Sequence, residues 1–377
     1  MKRSDSSSST SRPYNQSRRQ AQAQISKTAR TSTNLRRSTS KPAERNRPKG
    51  SKLKGFIKAH KLQIAASLIC ALVLVAVGVA WAFIDKINNN LHAGLNGDLD
   101  KVLVQTNITQ EPFYMLLMGT DKSKERNADP ENGGSFRSDS LILARIDTPN
   151  KKVSLISLHR DTLMDMGKHG RNKLNAAYAI GGPSYAIKAV SQLAQVPLSH
   201  YAEINFDGFK DVVDALGGVE VDVPMNINDK DAGGSLKKGK QVLNGSQALI
   251  LCRARHAYDD LGDGDVYRAA NQRLVLAAIA KKILASDPAT MAKTIETLSR
   301  YITTDLQLSE IVSLAQAMHG MDPSQDISSS MEPTVSHFVK GDGWYEFCDE
   351  KPWRALINRA NKGLSLEPDS RINQEEQ

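Results

Sequence analysis

Apolar and polar positions along the 377-residue chain fall into three regimes. Up to about Ser51 the chain is rich in Ser, Thr, Gln, Arg and Pro. After Met1, its large apolar residues are Tyr14, Ile25 and Leu35. Such a segment buries too little surface to offset its ordering entropy and is expected to be disordered. Residues 62–84 then run without a single charge, with Gln63 and Ser67 the most polar members. At about 1.5 Å per residue this is a helix of roughly 34 Å, long enough for a ~30 Å hydrocarbon layer. Trp81 and Phe83 stand at its far end, where aromatic side chains favour a membrane interface. A polar stem is expected from Asn88 to Glu111.

Beyond the stem the pattern alternates between strands and helices. Apolar runs at 113–118, 140–146, 153–158, 201–205 and 219–223 read as strands, bounded by turn residues such as Thr148-Pro149-Asn150. Helical periodicity is expected at 184–193, opened by Gly181-Gly182-Pro183, and at 207–216, closed by Gly217-Gly218. Further helices are expected at 266–286, 289–301 and 308–319. The apolar run 248–252 is taken with the strands, and the segment carrying Trp344 and Trp353 is less regular. This order predicts a layered α/β fold, helices against a sheet, behind one N-terminal transmembrane helix.

Charge changes the picture of the two ends. The chain holds 50 Lys and Arg against 41 Asp and Glu, a net +9 that suggests nucleic acid. Through Lys61, however, there are 17 basic residues against Asp5 and Glu44, leaving 33 basic and 39 acidic residues after it. The split of +15 and −6 is explained by a cytoplasmic tail beside anionic lipid, with the rest of the chain outside the membrane. Nucleic acid is not required. Three cysteines exclude a disulfide-dense miniprotein and fit no zinc ribbon. Cys252 and Cys348 share the outer side; for Cys252, within an apolar run, a buried residue is favoured over a disulfide.

The chain has no P-loop, dinucleotide fingerprint, H-E-x-x-H or G-x-S-x-G motif. What stands out is arginine beside aspartate next to apolar runs: Arg137-Ser138-Asp139, Arg160-Asp161, Arg253-Ala254-Arg255 and Asp265-Val266-Tyr267-Arg268. Singly, each is an ordinary ion pair. Together, at the ends of strands, they suggest an anion site, with guanidinium forks for phosphate oxygens and carboxylates suited to Mg²⁺. That combination fits phosphoryl or pyrophosphoryl chemistry.

The order of these segments resembles the LytR–CpsA–Psr (LCP) family. The resemblance rests on Met115-Leu-Leu-Met-Gly-Thr-Asp121, Arg137-Ser-Asp-Ser140, Val153 to Thr162, and Lys173-Leu-Asn-Ala-Ala-Tyr178. It continues through Asn205 to Val219, Arg253-Ala-Arg-His256 and Gly264-Asp-Val-Tyr-Arg268, and covers about 113–285. It implies a ligase of Gram-positive cell walls that moves a glycopolymer from polyprenyl pyrophosphate to peptidoglycan through a phosphodiester. It also implies roles for residues. Asp121 and Asp139 would be carboxylates for Mg²⁺ (or Mn²⁺), and Arg137, Arg160, Arg253, Arg255 and Arg268 would grip the pyrophosphate. Asp161, Lys173, Asn175 and Asp265 would complete the rim, with Asp265 or Asp161 as base, and Gln272 and Arg273 would follow on the next turn. The lipid would lie against Val190, Leu193, Phe206, Phe209, Val212 and Val213. Three departures stand out: His159 where the family often has Pro, Val266-Tyr267 where it usually has Phe-Gly, and a less charged turn at 269–273. Expected boundaries are 1–61 tail, 62–84 span, 85–112 stem, 113–321 catalytic domain and 322–377 an extension without assigned role. The competing readings are a pyrophosphatase and a non-enzymatic regulator.

Overall fold

The computed structural model describes residues 61–93, 95, 98–120, 138–262, 264–286 and 294–367. The expected basic tail through residue 60 and the segment 121–137 lie outside them. The first helix, α1, runs Lys61–Leu91, longer than the expected span. Its apolar side chains from Ile69 to Ile84 are exposed, as in a helix whose partner is lipid, whereas Ile87 and Leu91 are buried. The expected stem is thus partly core. Ile87 and Leu91 share one helix face, and Leu99 and Ile108 are buried after it.

The unit Leu68–Gln377 is built on a mixed sheet. The chain enters it at β1 (Phe113–Thr120) and continues through β2 (Ser138–Asp147) and β3 (Lys152–Leu158). A small ribbon of β4 (Leu163–Asp165) and β5 (Arg171–Lys173) leads to helix α2 (Ala176–Ala194). Strand β6 (His200–Asn205) and helix α3 (Phe206–Ala215) follow. Strands β7 (Val219–Val223), β8 (Ile227–Asp229), β9 (Gly234–Leu236) and β10 (Gly239–Leu243) then pair as two ribbons, β7 with β10 and β8 with β9. Helices α4 (Gly245–Arg253) and α5 (Gly264–Leu284), strand β11 (Ile302–Thr304) and helix α6 (Leu308–Ala317) come next. The chain closes with β12 (Ile327–Met331), the hairpin β13 (Thr334–Val339) and β14 (Gly343–Cys348), and helix α7 (Glu350–Asn361).

The six-stranded order is β11-β6-β1-β2-β3-β12. Strands β1 and β6 are parallel, as are β3 and β12, and the other pairs are antiparallel. Almost every residue of β1 is buried, which its unbroken apolar run requires of a strand covered on both faces. Tyr114, Leu116 and Met118 face one core with Ile187, Val190 and Trp353, from α2 and α7. Phe113 and Met115 face another with Leu276 and Leu314, from α5 and α6. The layered α/β expectation holds.

Three local expectations are corrected. The run 248–252 is not a strand but the body of α4. Asn244 accepts from the Gln247 N–H, and Gln247 answers at the Asn244 N–H, a reciprocal cap that starts a helix. Helix α2 begins before Gly181-Gly182 and is kinked there. Gly182 takes φ 64°, which its missing Cβ permits, and Pro183 restarts the helix. Finally, residues after 321 are not an appendage: β12 is the sixth strand and Trp353 is fully buried.

Candidate active site

The loop after β3 presents Arg160 and Asp161, and the first turn of α5 presents Asp265 and Arg268. Arg255 stands between α4 and α5. These elements meet at Asp265. Its Oδ1 lies 3.1 Å from Arg268 Nη1 and 3.7 Å from Arg255 Nη1, and its Oδ2 lies 3.8 Å from Arg160 Nε. One carboxylate therefore gathers three guanidinium groups from three segments. It orients their forks while leaving net positive charge for an anion. Gly264 makes the approach possible: a Cβ there would stand 2.6 Å from the Arg255 carbonyl oxygen.

Asp161 sits 3.5 Å from Arg160 Nε and 2.9 Å from Lys173 Nζ. Burial pushes its carboxyl up, but the Lys173 hydrogen bond and the charges of Arg160 and Lys173 outweigh this and hold it below the usual carboxylate range. Asn175 is buried and acts through its backbone, donating its N–H to the Arg160 carbonyl at 2.9 Å. Gln272 accepts from Ser140 Oγ at 2.8 Å and donates to the Cys252 carbonyl at 3.1 Å. Arg273 is only 4% exposed, so it lies beneath the site rather than on its rim, with Nη1 donating to Ser157 Oγ. Arg253 ends α4 and is exposed. Asp121, Arg137 and the side chains of Asp139 and Phe206 lie outside the described residues.

Adjoining the arginines through Ser140 and Gln272 is an apolar cavity of about 350 Å³ between the sheet and helices α3, α4 and α5. Phe209 and Val212 line it, together with Leu117, Ile142, Leu276 and Ile283. Val190 and Leu193 do not: α2 packs on the opposite face of the sheet. Val213 points into the core formed with β7 and α4. The expected lining was drawn from apolar helix faces, which do not tell cavity from core. On the face of the sheet that α2 covers, Glu203 accepts from Tyr178 Oη at 2.8 Å, Tyr201 Oη at 2.5 Å and Thr120 Oγ1 at 3.0 Å. Burial and this carboxylate push both phenols well above their ordinary range, keeping them donors.

Two further carboxylates support the arginine loops and were not anticipated. Asp229, 2% exposed, accepts from the Arg255 and His256 N–H groups through Oδ2 and from those of Asp231 and Ala232 through Oδ1. Glu332, fully buried, accepts from the His159 N–H at 3.0 Å and Thr162 Oγ1 at 2.9 Å. Burial pushes Glu332 up to about 7. The first departure now has a reason, since a proline at 159 would have no N–H to give. In the second, Tyr267 stacks on Tyr258 at 4.7 Å. Cys252 and Cys348 are both free, and burial pushes each thiol up to about 12.

An arginine cluster adjoining an apolar cavity has the chemistry to hold an amphiphile with an anionic head, and the sequence that builds it matches a known family. Residues 84–362 match the LytR_cpsA_psr family. The chain is a LytR–CpsA–Psr protein. It is 35% identical over 214 residues to biofilm regulatory protein A of Streptococcus mutans, covering 53% of this chain and 51% of that one. Over 220 residues it is 33% identical to the polyisoprenyl-teichoic acid–peptidoglycan teichoic acid transferase TagV of Bacillus subtilis, covering 56% and 54%. These two alignments span about half of each relative. With the corresponding TagU of Bacillus cereus the identity is 31% over 311 residues, covering 78% of this chain and 95% of that one. The crystal structure of B. subtilis TagV superposes with a TM-score of 0.59 at 29% identity, covering 69% of this LCP chain and 99% of the other. The family match extends past the expected boundary at 321, in keeping with β12 and α7 belonging to the domain.

Proposed function

We propose that this LCP protein is a membrane-anchored phosphotransferase that joins an anionic glycopolymer, delivered on polyprenyl pyrophosphate, to peptidoglycan in a wall of the Gram-positive type. The observation that carries this reading is the junction of three guanidinium groups around Asp265 with the apolar cavity behind Ser140 and Gln272. A pyrophosphate fits the first part and a polyprenyl chain the second. Two relatives are named for the same transfer of teichoic acid.

In this reading the acceptor hydroxyl oxygen attacks the phosphorus next to the glycan. The bond from that phosphorus to the bridging oxygen breaks, polyprenyl phosphate leaves, and the hydroxyl proton passes to a carboxylate of the site. Arg160, Arg255 and Arg268 stabilise the charge spread over the pyrophosphate, where most of the catalysis of such a transfer lies. Asp265 orients them. Asp161 is held low by Lys173 and is a poor proton acceptor, so its task here is to fix Lys173 and Arg160.

We assign Mg²⁺, or Mn²⁺ in its place, to Asp121 and Asp139. The β1–β2 ladder supports that pairing: β1 ends at Thr120, just before Asp121 in the chain, and its antiparallel partner β2 begins at Ser138, just before Asp139, so the chain reaches both aspartates at the same end of the ladder. Bound there, the ion would neutralise pyrophosphate oxygens, the usual service of Mg²⁺ held by one or two carboxylates. The charge split at the span supports a cytoplasmic N-terminus and an outer catalytic domain.

The test uses full-length protein in nanodiscs with Mg²⁺, a polyprenyl-pyrophosphate glycan and peptidoglycan oligomers. Glycan is expected on peptidoglycan with release of polyprenyl phosphate, and Arg160→Ala and Arg255→Ala are each expected to abolish it with the fold intact. Free phosphate-terminated glycan as the sole product would instead make the chain a hydrolase.

A further inference from the structure

Outside α1, Phe338 and Trp344 are the exposed Phe and Trp side chains among the described residues, at 60% and 63%. They are cross-strand partners in the β13–β14 hairpin, with ring centroids 5.6 Å apart. Leaving two large rings in water is unfavourable unless something covers them. The hairpin is joined to the arginine loop. Glu346 donates its N–H to the Asp161 carbonyl at 3.1 Å, Thr162 bridges to Glu346, and the Lys173 ammonium stands 5.4 Å from the Tyr345 ring centroid. Trp344 and Glu346 project from the same face of β14, and Ser336 Oγ donates to the Glu346 carboxylate.

We propose that this aromatic pair is the acceptor subsite, stacking on the sugar rings of the peptidoglycan strand whose hydroxyl attacks the phosphorus. The inference rests on the phosphotransferase reading above and extends it. In-line displacement at phosphorus puts the attacking and leaving oxygens on opposite sides. The leaving polyprenyl phosphate departs toward the apolar cavity, which lies over β6, β1 and β2. The arginine pocket lies over β2, β3 and β12, and the hairpin follows β12. Cavity, arginines and hairpin therefore succeed one another across the sheet, and the acceptor arrives from the hairpin side.

The chemistry of the pair suits a neutral polysaccharide. The C–H face of a pyranose is apolar and flat, so an aromatic ring covers it well, while Ser336 and Glu346, on the same face of the hairpin, offer polar partners to its hydroxyl and acetamido groups. A bilayer is the less suitable occupant. Residues at the end of α1 contact β11, where Thr303 Oγ1 donates to the Ala93 carbonyl. The hairpin lies beyond the opposite edge, five strand spacings or about 24 Å away.

The double variant Phe338→Ala/Trp344→Ala in full-length protein tests the assignment. In nanodisc transfer assays its KM for peptidoglycan is expected to rise at least tenfold, with kcat within twofold, donor KM unchanged and thermal stability unchanged. An unaltered acceptor KM overturns the proposal. So does a rise in donor KM, which would make the rings a site for the donor glycan or the membrane. Independently of turnover, binding of a soluble oligosaccharide of N-acetylglucosamine and N-acetylmuramic acid is measured by isothermal titration calorimetry, which needs no tryptophan at the site. Wild type is expected to bind it, and the double variant at least tenfold more weakly. Equal binding by both proteins, or no binding by wild type, rejects the subsite. Wild type that binds the sugar but transfers nothing would count against the reaction and not against this surface.

Discussion

A single buried carboxyl shows how much of the site is held from beneath. Glu332 meets the backbone of His159 and the hydroxyl of Thr162, on either side of Arg160 and Asp161. Because burial raises its folded-state value from 4.5 to about 7, the native protein binds this proton more tightly than the unfolded chain does. Its contribution to stability is complete below about pH 4.5 and is lost as pH rises through 7. Glu332→Gln, which keeps an acceptor but cannot ionise, is expected to remove this slope and to gain at most about 3 kcal/mol on wild type above pH 7. Urea unfolding at pH 4.5, 6 and 8 measures it; parallel pH profiles for the two proteins would disprove it. None of this was legible in the sequence, where Glu332 is an isolated acid in a segment without a matched motif. Arg160 and Arg255 are legible because each closely follows an apolar run, and Asp265 and Arg268 because they stand one helical turn apart at the start of a long helix. Asp229, which accepts four backbone N–H groups, leaves no sequence signal beyond being an acid in a turn.

At the scale of elements, the long strands of the sheet leave a clearer mark on the sequence than the helices do. The runs at β1, β2 and β3 have the length and apolar continuity that only a covered strand needs. The run 248–252 has the same composition, yet its cap at Asn244 and Gln247 decides for a helix. The cavity was the least legible feature, since it depends on which helix faces fail to meet the sheet. Ala280 lines it from α5 near Ile283 and Leu276. Ala280→Trp is expected to fill much of the space and to weaken binding of geranylgeranyl pyrophosphate at least tenfold, about 1.4 kcal/mol. Inorganic pyrophosphate, which needs only the arginines, should bind as before. Isothermal titration with both ligands checks this, and equal losses for the two would show that the substitution disturbs the arginines instead.

For the whole molecule, the separation of charge at the span is the main property read from the sequence alone. The tail's positive charge supports topology, and catalysis is assigned to the acidic half of the chain. Deleting residues 2–51 is accordingly expected to leave kcat and both KM values within about twofold in nanodisc assays, while lowering affinity for anionic vesicles at low salt. A catalytic loss beyond that range would give the tail a role in turnover.

The end of α1 has a consequence for where the reaction takes place. Ile87 and Leu91 are buried, Lys86 pairs with Glu296, and Asn88 accepts from the Leu308 N–H. With the exposed apolar stretch of α1 ending just before these contacts, the folded body is not on a leash. It stands on a stilt of fixed height. On the proposed transferase reading, a folded body of this size, roughly 50 Å across, would reach acceptor strands within about that distance of the bilayer and not those farther out. The depth of wall open to the reaction would then be set by the height of the folded body and not by the length of a tether.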